Sequence, residues 1–181
     1  MESAENSKPS ILLVEDTLTQ AMLMQHQLKK AGYVVKLVRN GKLAVDELGK
    51  ESFGLILSDI NMPIMNGFEL CREVKSRESC KDTTFVLLAT PIGKHEILRM
   101  LECGADNFIL KAYDERTFIA KLDEIVSTRK LRQESGSATK AAFAGLEIDL
   151  QTSPPPIADF MISAYEMYLF QLTKSSAQDA P

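Results

Sequence analysis

Five short apolar runs alternate with longer amphipathic segments along most of the chain. The runs are Ile11-Leu12-Leu13-Val14, Val34-Val35-Lys36-Leu37-Val38, Leu55-Ile56-Leu57, Phe85-Val86-Leu87-Leu88 and Phe108-Ile109-Leu110. Their length and their branched or aromatic content predict β-strands. Between and after them, Leu18 to Ala31, Lys42 to Gly49, Phe68 to Arg77, His95 to Cys103 and Glu115 to Arg129 carry apolar residues at helical spacing, with Gly32 and Gly104 placed to stop helices. Strands that are apolar throughout need cover on both faces, and the repeated alternation implies right-handed crossovers and a parallel sheet. The predicted fold is α/β, a doubly wound five-stranded parallel sheet, in which groups at the carboxyl ends of strands converge on a crevice.

The pattern changes after Arg132. Gln133-Glu134-Ser135-Gly136-Ser137-Ala138-Thr139 is small and polar, as a linker would be. Residues 142–150 alternate about Gly145 in the manner of a small hairpin, and Pro154-Pro155-Pro156 leads into one more helix. That helix carries Ile157, Phe160, Met161, Ala164, Tyr165, Tyr168 and Leu172, a stripe broader than a strict heptad seam. The predicted organisation is a flexible N-terminus over 1–9, one domain over 10–132, a linker over 133–141 and a hairpin-plus-helix appendage over 142–181. An apolar helix of this kind needs a partner. A homodimer through this helix is the expectation, and packing back onto the same chain is the alternative.

With 181 residues, the chain can bury one core and carry an appendage. A formal net charge of -4 argues against a surface that neutralises nucleic-acid phosphates or lies on anionic lipid, and Arg129, Lys130 and Arg132 read as a solvated helix end. Cys71, Cys80 and Cys103 are odd in number and lack metal-ligand spacing, so reduced thiols are expected. The start, Met1-Glu2-Ser3-Ala4-Glu5, lacks the order of a signal peptide, and no apolar run approaches the roughly 20 residues of a bilayer span. The expectation is a cytoplasmic protein.

Candidate chemistry lies at the strand ends. Glu15 and Asp16 follow the first strand, Asp59 the third and Lys111 the fifth. Magnesium takes oxygen ligands in octahedral geometry, commonly one or two carboxylates with water and phosphate oxygens completing the shell. Glu15, Asp16 and Asp59, with the backbone carbonyl of Asn61, offer a pocket of that kind. A carboxylate can attack a phosphoryl group to form an acyl phosphate when a metal offsets the repulsion between anions, and Asp59 is placed to do so. Lys111 would hold a phosphoryl oxygen by its compact charge. Taken singly, a Glu-Asp pair after a strand reads as a helix cap, and a lysine as solvent-facing. Their joint occurrence with the run from Ser58 to Gly67 favours a site over packing alone.

On these residues the chain resembles the receiver domains of two-component response regulators. The resemblance covers about residues 10–130, and the run Asp59-Ile60-Asn61-Met62-Pro63-Ile64-Met65-Asn66-Gly67 carries most of it. It implies the flavodoxin-like strand order 2-1-3-4-5. It further implies metal at Glu15, Asp16, Asp59 and the Asn61 carbonyl, phosphate on Asp59, a phosphoryl contact from Lys111 and a mobile aromatic ring at Phe108. A histidine kinase or phosphotransfer protein is the implied partner and Mg2+ the implied cofactor. The tail resembles, more loosely, the linker of composite receiver and histidine-kinase proteins, on Phe143-Ala144-Gly145 and Ser163-Ala164-Tyr165-Glu166.

Two positions depart from the family. Where receivers carry a switch Thr or Ser after the fourth strand, family spacing lands on Ala89, with Thr90 one residue later and a weaker candidate for that role. Ala112 stands where a proline usually follows the lysine, and a trans Lys111–Ala112 link is expected. The expectation is a phosphoacceptor with muted or rerouted switching and no DNA-binding output; the alternative is a phosphorylation-independent adaptor with a degenerate site. An enzyme is disfavoured, because an aspartyl phosphatase wants a second acid where Asn61 stands. A kinase is disfavoured because neither His26 nor His95 has the right helical setting.

Overall fold

The computed structural model describes residues 8–90, 96, 99–100, 102–135, 141–143 and 146–148. The expected tail helix from Ile157, the N-terminus before Lys8, and Pro91 with His95 lie outside the described residues.

Five strands, β1 (Ile11–Val14), β2 (Val35–Val38), β3 (Leu55–Asp59), β4 (Thr84–Ala89) and β5 (Asn107–Leu110), form one parallel sheet in the order β2-β1-β3-β4-β5. β1, β3, β4 and β5 are buried at every position, whereas the edge strand β2 is only partly covered. Uniformly apolar strands follow from helices on both faces. Successive residues divide between two cores, as the pleat requires. Leu12, Val14, Ile56, Phe85, Leu87, Ala89 and Phe108 face one, with Phe68, Leu70, Cys71 and Val74 from a helix. Ile11, Leu13, Leu55, Leu57, Val86, Leu88 and Ile109 face the other, with Leu28, Phe118 and Leu122.

The helices that supply this cover are α1 (Leu18–Lys30), α2 (Gly41–Leu48), α3 (Gly67–Lys75) and α4 (Glu115–Ser135). Glu96, Arg99, Met100 and Glu102 are also helical, within the stretch expected as the helix His95 to Cys103. Gly32 and Gly104 adopt φ values of 87° and 83°, the left-handed turn that ends a helix most easily at glycine. α3 opens with a capping box. The Asn66 side chain accepts from the Glu69 N–H at 3.0 Å, and the Glu69 carboxylate accepts from the Asn66 N–H at 2.9 Å. Asp114 caps α4 by accepting from the Thr117 N–H at 2.9 Å, and that bond holds its carboxyl below the usual aspartate range.

α4 continues through Gln133, Glu134 and Ser135, three residues that the sequence pattern places in a linker. Gln and Glu are good helix formers, and Gly136 is the first strong breaker on the path. Beyond it, β6 (Ala141–Phe143) and β7 (Leu146–Ile148) pair antiparallel, the expected hairpin beginning one residue early. Cys71, Cys80 and Cys103 are buried and form no disulfide. Among the described residues, no helix is long and apolar enough to cross a membrane.

Candidate functional site

Parallel pairing sets the ends of β1, β3 and β5 along one rim of the sheet, so Glu15 and Lys111 sit just past the last residues of β1 and β5, and Asp59 is the last residue of β3. Val14 pairs with Ser58 in the β1–β3 register, which brings the segment Glu15-Asp16 alongside Asp59. One carboxylate oxygen from each of Glu15, Asp16 and Asp59 lies within 4.8 Å of the others. Glu15 is fully buried, a costly position for a carboxylate unless partners surround it. Its Oε1 accepts from the Thr17 N–H at 3.2 Å, and its Oε2 from Lys111 Nζ at 2.7 Å.

Lys111 reaches across from β5. Its Nζ lies 2.8 Å from Asp59 Oδ2 and donates to Gln20 Oε1 at 3.1 Å, so its three N–H donors have three acceptors. Asp59 Oδ1 accepts from the Ile60 N–H at 2.7 Å, which fixes the carboxylate against its own loop. Arg39, at the end of β2, donates through Nε to the Asp16 backbone carbonyl at 3.0 Å and anchors that turn.

The loop from β3 into α3 shapes the other wall. Gly67 approaches the β3 end so closely that a Cβ there would lie 2.3 Å from the Asp59 carbonyl oxygen, and its N–H donates to the Ile60 carbonyl at 2.9 Å. Only glycine fits that contact. Within the loop the Met65 N–H donates to the Pro63 carbonyl at 2.8 Å, closing a three-residue γ-turn about Ile64. Ile64 has φ 72°, an uncommon state for a β-branched residue, and its side chain is 80 % exposed.

A cleft of about 900 Å³ opens over these groups, and Asp59, Asn61, Lys111, Gln20, Thr90 and Ala112 are among its lining. Thr90 is exposed on the cleft wall, whereas Ala89 is fully buried in the same core cluster as Phe108. Phe108 itself is 4 % exposed and belongs to that core. The Lys111 N–H donates to the Ala89 carbonyl at 2.8 Å, tying the ends of β4 and β5 together. The described backbone has no cis peptide, so the Lys111–Ala112 link is trans.

Of the sequence-predicted groups, Asp59, Asn61, Thr90 and Lys111 line the cleft, Glu15 and Asp16 cluster with Asp59 at the rim, and Ala89 and Phe108 are buried in the core. Two contributors were not anticipated. Gln20 is a single polar residue in the first turn of α1, and Arg39 acts through a backbone carbonyl; neither leaves a signal in spacing. In chemical terms the site opposes three carboxylates to one ammonium. An oxygen-only, net acidic pocket fits a hard divalent cation, and Asp59 has one oxygen on the Ile60 amide and the other on Lys111.

Comparison with known proteins agrees with this geometry. The model of the response regulator receiver domain matches residues 11–123. A chemotaxis protein CheY homolog of Campylobacter jejuni is 30 % identical over 120 residues, covering 65 % of this chain and 92 % of that protein. The receiver domain of a signal transduction histidine kinase from Syntrophus aciditrophicus is 34 % identical with a TM-score of 0.63, covering 75 % of this chain and 100 % of that one. The receiver domain of the sensor histidine kinase PA1611 from Pseudomonas aeruginosa shares the fold at 24 % identity and a TM-score of 0.61. It covers 66 % of this chain and 98 % of that one, and its structure has a magnesium ion coordinated in the active-site cleft. A parallel sheet in receiver order, an acidic cluster at its rim and a family match over most of the chain lead to one assignment: this chain belongs to the response regulator receiver domains of two-component signalling.

Proposed function

We propose that this receiver accepts a phosphoryl group on Asp59 from a phosphohistidine of a histidine kinase or phosphotransfer protein, as a cytoplasmic signalling module rather than an enzyme. The observation that carries the reading is the convergence of Glu15, Asp16 and Asp59 within 4.8 Å, with the Lys111 ammonium 2.8 Å from Asp59. Glu15, Asp16 and Asp59, with the Asn61 carbonyl, would hold Mg2+. Bound there, the cation supplies positive charge that offsets the repulsion between the Asp59 carboxylate and an incoming phosphoryl group. An Asp59 oxygen attacks phosphorus, the P–N bond to the donor imidazole breaks, and the imidazole leaves with its electron pair. Lys111 holds a phosphoryl oxygen through the transfer.

Ala89 has no hydroxyl to follow the phosphoryl group, and its methyl is buried in the core cluster that also holds Phe108. The response of the fold to phosphate is therefore muted or rerouted, with Thr90, on the cleft wall, the remaining hydroxyl at that strand end. A net charge of -4 supports an output through protein contacts rather than DNA, and the apolar stripe from Ile157 to Leu172, which the sequence pattern makes helical, would serve self-association. The same missing hydroxyl favours a second reading, an adaptor that works without phosphorylation.

Incubation with acetyl phosphate and Mg2+ separates the two. Intact-mass measurement should find one added phosphoryl group on the wild type and none on Asp59→Asn; an unmodified wild type would leave the adaptor reading standing. Size in solution before and after modification then reports whether phosphate changes self-association.

A further inference from the structure

Lys111 has three acceptors, and they differ in kind. Glu15 Oε2 at 2.7 Å and Asp59 Oδ2 at 2.8 Å belong to carboxylates that a cation at the acidic cluster would also engage. Gln20 Oε1 at 3.1 Å belongs to neither that cluster nor the phosphoacceptor. A divalent cation drawn to Glu15 and Asp59 competes with the ammonium for the same oxygens and repels it. At short range in a partly buried site such repulsion is several times stronger than in bulk water. Lys111 is 15 % exposed, so water can replace few of the contacts it loses.

We propose that Gln20 is a positioning residue for phosphoryl transfer. Its side-chain carbonyl keeps the Lys111 ammonium aimed at Asp59 once the cation has engaged the carboxylates. This rests on the phosphoacceptor reading above and extends it to a residue of α1. The geometry suits the task. Gln20 lies in the first turn of α1, one turn beyond the Asp16-Thr17 entry to the helix, so the element that begins at the acidic pair also carries the third acceptor. Its carboxamide is uncharged. It therefore accepts from the ammonium without adding another anion for the incoming phosphoryl group to meet, as a glutamate at this position would. The same side chain lines the cleft with Asp59 and Asn61, where the phosphoryl oxygens would lie.

The test is a double-mutant cycle on the full chain, read as the rate of modification by acetyl phosphate at saturating Mg2+. Gln20→Leu keeps helix propensity and bulk but removes the acceptor. The rate should fall about tenfold, the scale of one hydrogen bond to a charged group, while Mg2+ affinity changes less than about twofold, since Gln20 is not among the cation's ligands. In a Lys111→Ala background the same substitution should have no further effect, because the ammonium it positions is gone. Gln20→Glu retains an acceptor for Lys111 and should recover part of the loss at low phosphodonor charge, as with phosphoramidate. An equal fall in both backgrounds, or an unchanged rate in Gln20→Leu alone, overturns the proposal while leaving Asp59 as phosphoacceptor. No modification of the wild type overturns both.

Discussion

Single side chains decide the chemistry of this receiver. Ala89 is fully enclosed in the same core cluster as Phe108, and under the proposed function it is assigned the switch position. Ala89→Thr adds two heavy atoms to a packed cluster and should lower stability by about 1–3 kcal/mol. The new hydroxyl should also alter the lifetime of the phosphorylated form. Thermal melts and the decay of phosphorylated protein measure the two effects separately; an unaltered lifetime would count against coupling through this position. Ile64 is a different kind of singular residue. Its left-handed backbone costs on the order of 1–2 kcal/mol relative to glycine, and its exposed side chain recovers little by burial. The acids and Lys111 were legible in the sequence because each lies at the carboxyl end of an apolar strand. Gln20 was not, because its contact depends on the angle at which α1 crosses the site. The placement of Ala89 and Thr90 follows from strand parity, which puts Ala89 in the core and Thr90 on the wall.

At the scale of elements, the site is only as firm as the turns that carry it. The Asn66–Glu69 capping box starts α3 immediately after the loop that holds Asp59 and Asn61. Asn66→Ala removes one half of the box and should cost about 1 kcal/mol, seen as a lower denaturation midpoint with an unchanged slope in urea. The strands were predicted nearly to the residue, since uniformly apolar runs have few alternatives in a parallel sheet. Gln133, Glu134 and Ser135 look like linker by polarity, yet they are helical, since Gln and Glu extend a helix readily.

Across the whole molecule, a small polar cluster ties distant segments together away from the cleft. The Tyr33 hydroxyl donates to Asp123 Oδ1 at 2.5 Å, Lys8 Nζ meets the same oxygen at 2.7 Å, and the Lys8 ammonium lies 4.4 Å from the centre of the Tyr33 ring. Burial, followed by the bond to Asp123 and its charge, pushes the Tyr33 hydroxyl well above its ordinary range. At Asp123, burial acts upward but the bonds from Lys8 and Tyr33 outweigh it, and the carboxyl falls below its ordinary 3.8. The two signs give two pH limits. Tyr33 contributes stability that is intact below its ordinary value near 10 and is lost progressively as pH rises beyond it. Asp123 contributes stability present above 3.8 and lost as pH falls through its depressed folded value. Tyr33→Phe should remove the first dependence, so the difference in melting temperature between variant and wild type should shrink above pH 10; a constant difference would refute the assignment.

The crowding of Glu15, Asp16 and Asp59 at one rim has an energetic consequence for the entire polypeptide. Folding brings Asp59 up to the adjacent pair Glu15-Asp16, and the single positive charge of Lys111, shared between Glu15 and Asp59, offsets one of the three negative charges. Folding therefore works against this repulsion, and a cation that relieves it is a folding ligand. At a free concentration one hundred times its dissociation constant, such an ion stabilises the native form by about 2.7 kcal/mol. Magnesium supply and conformational stability then become one thermodynamic variable, with the carboxylates that poise the protein for signalling also setting how firmly it stays folded.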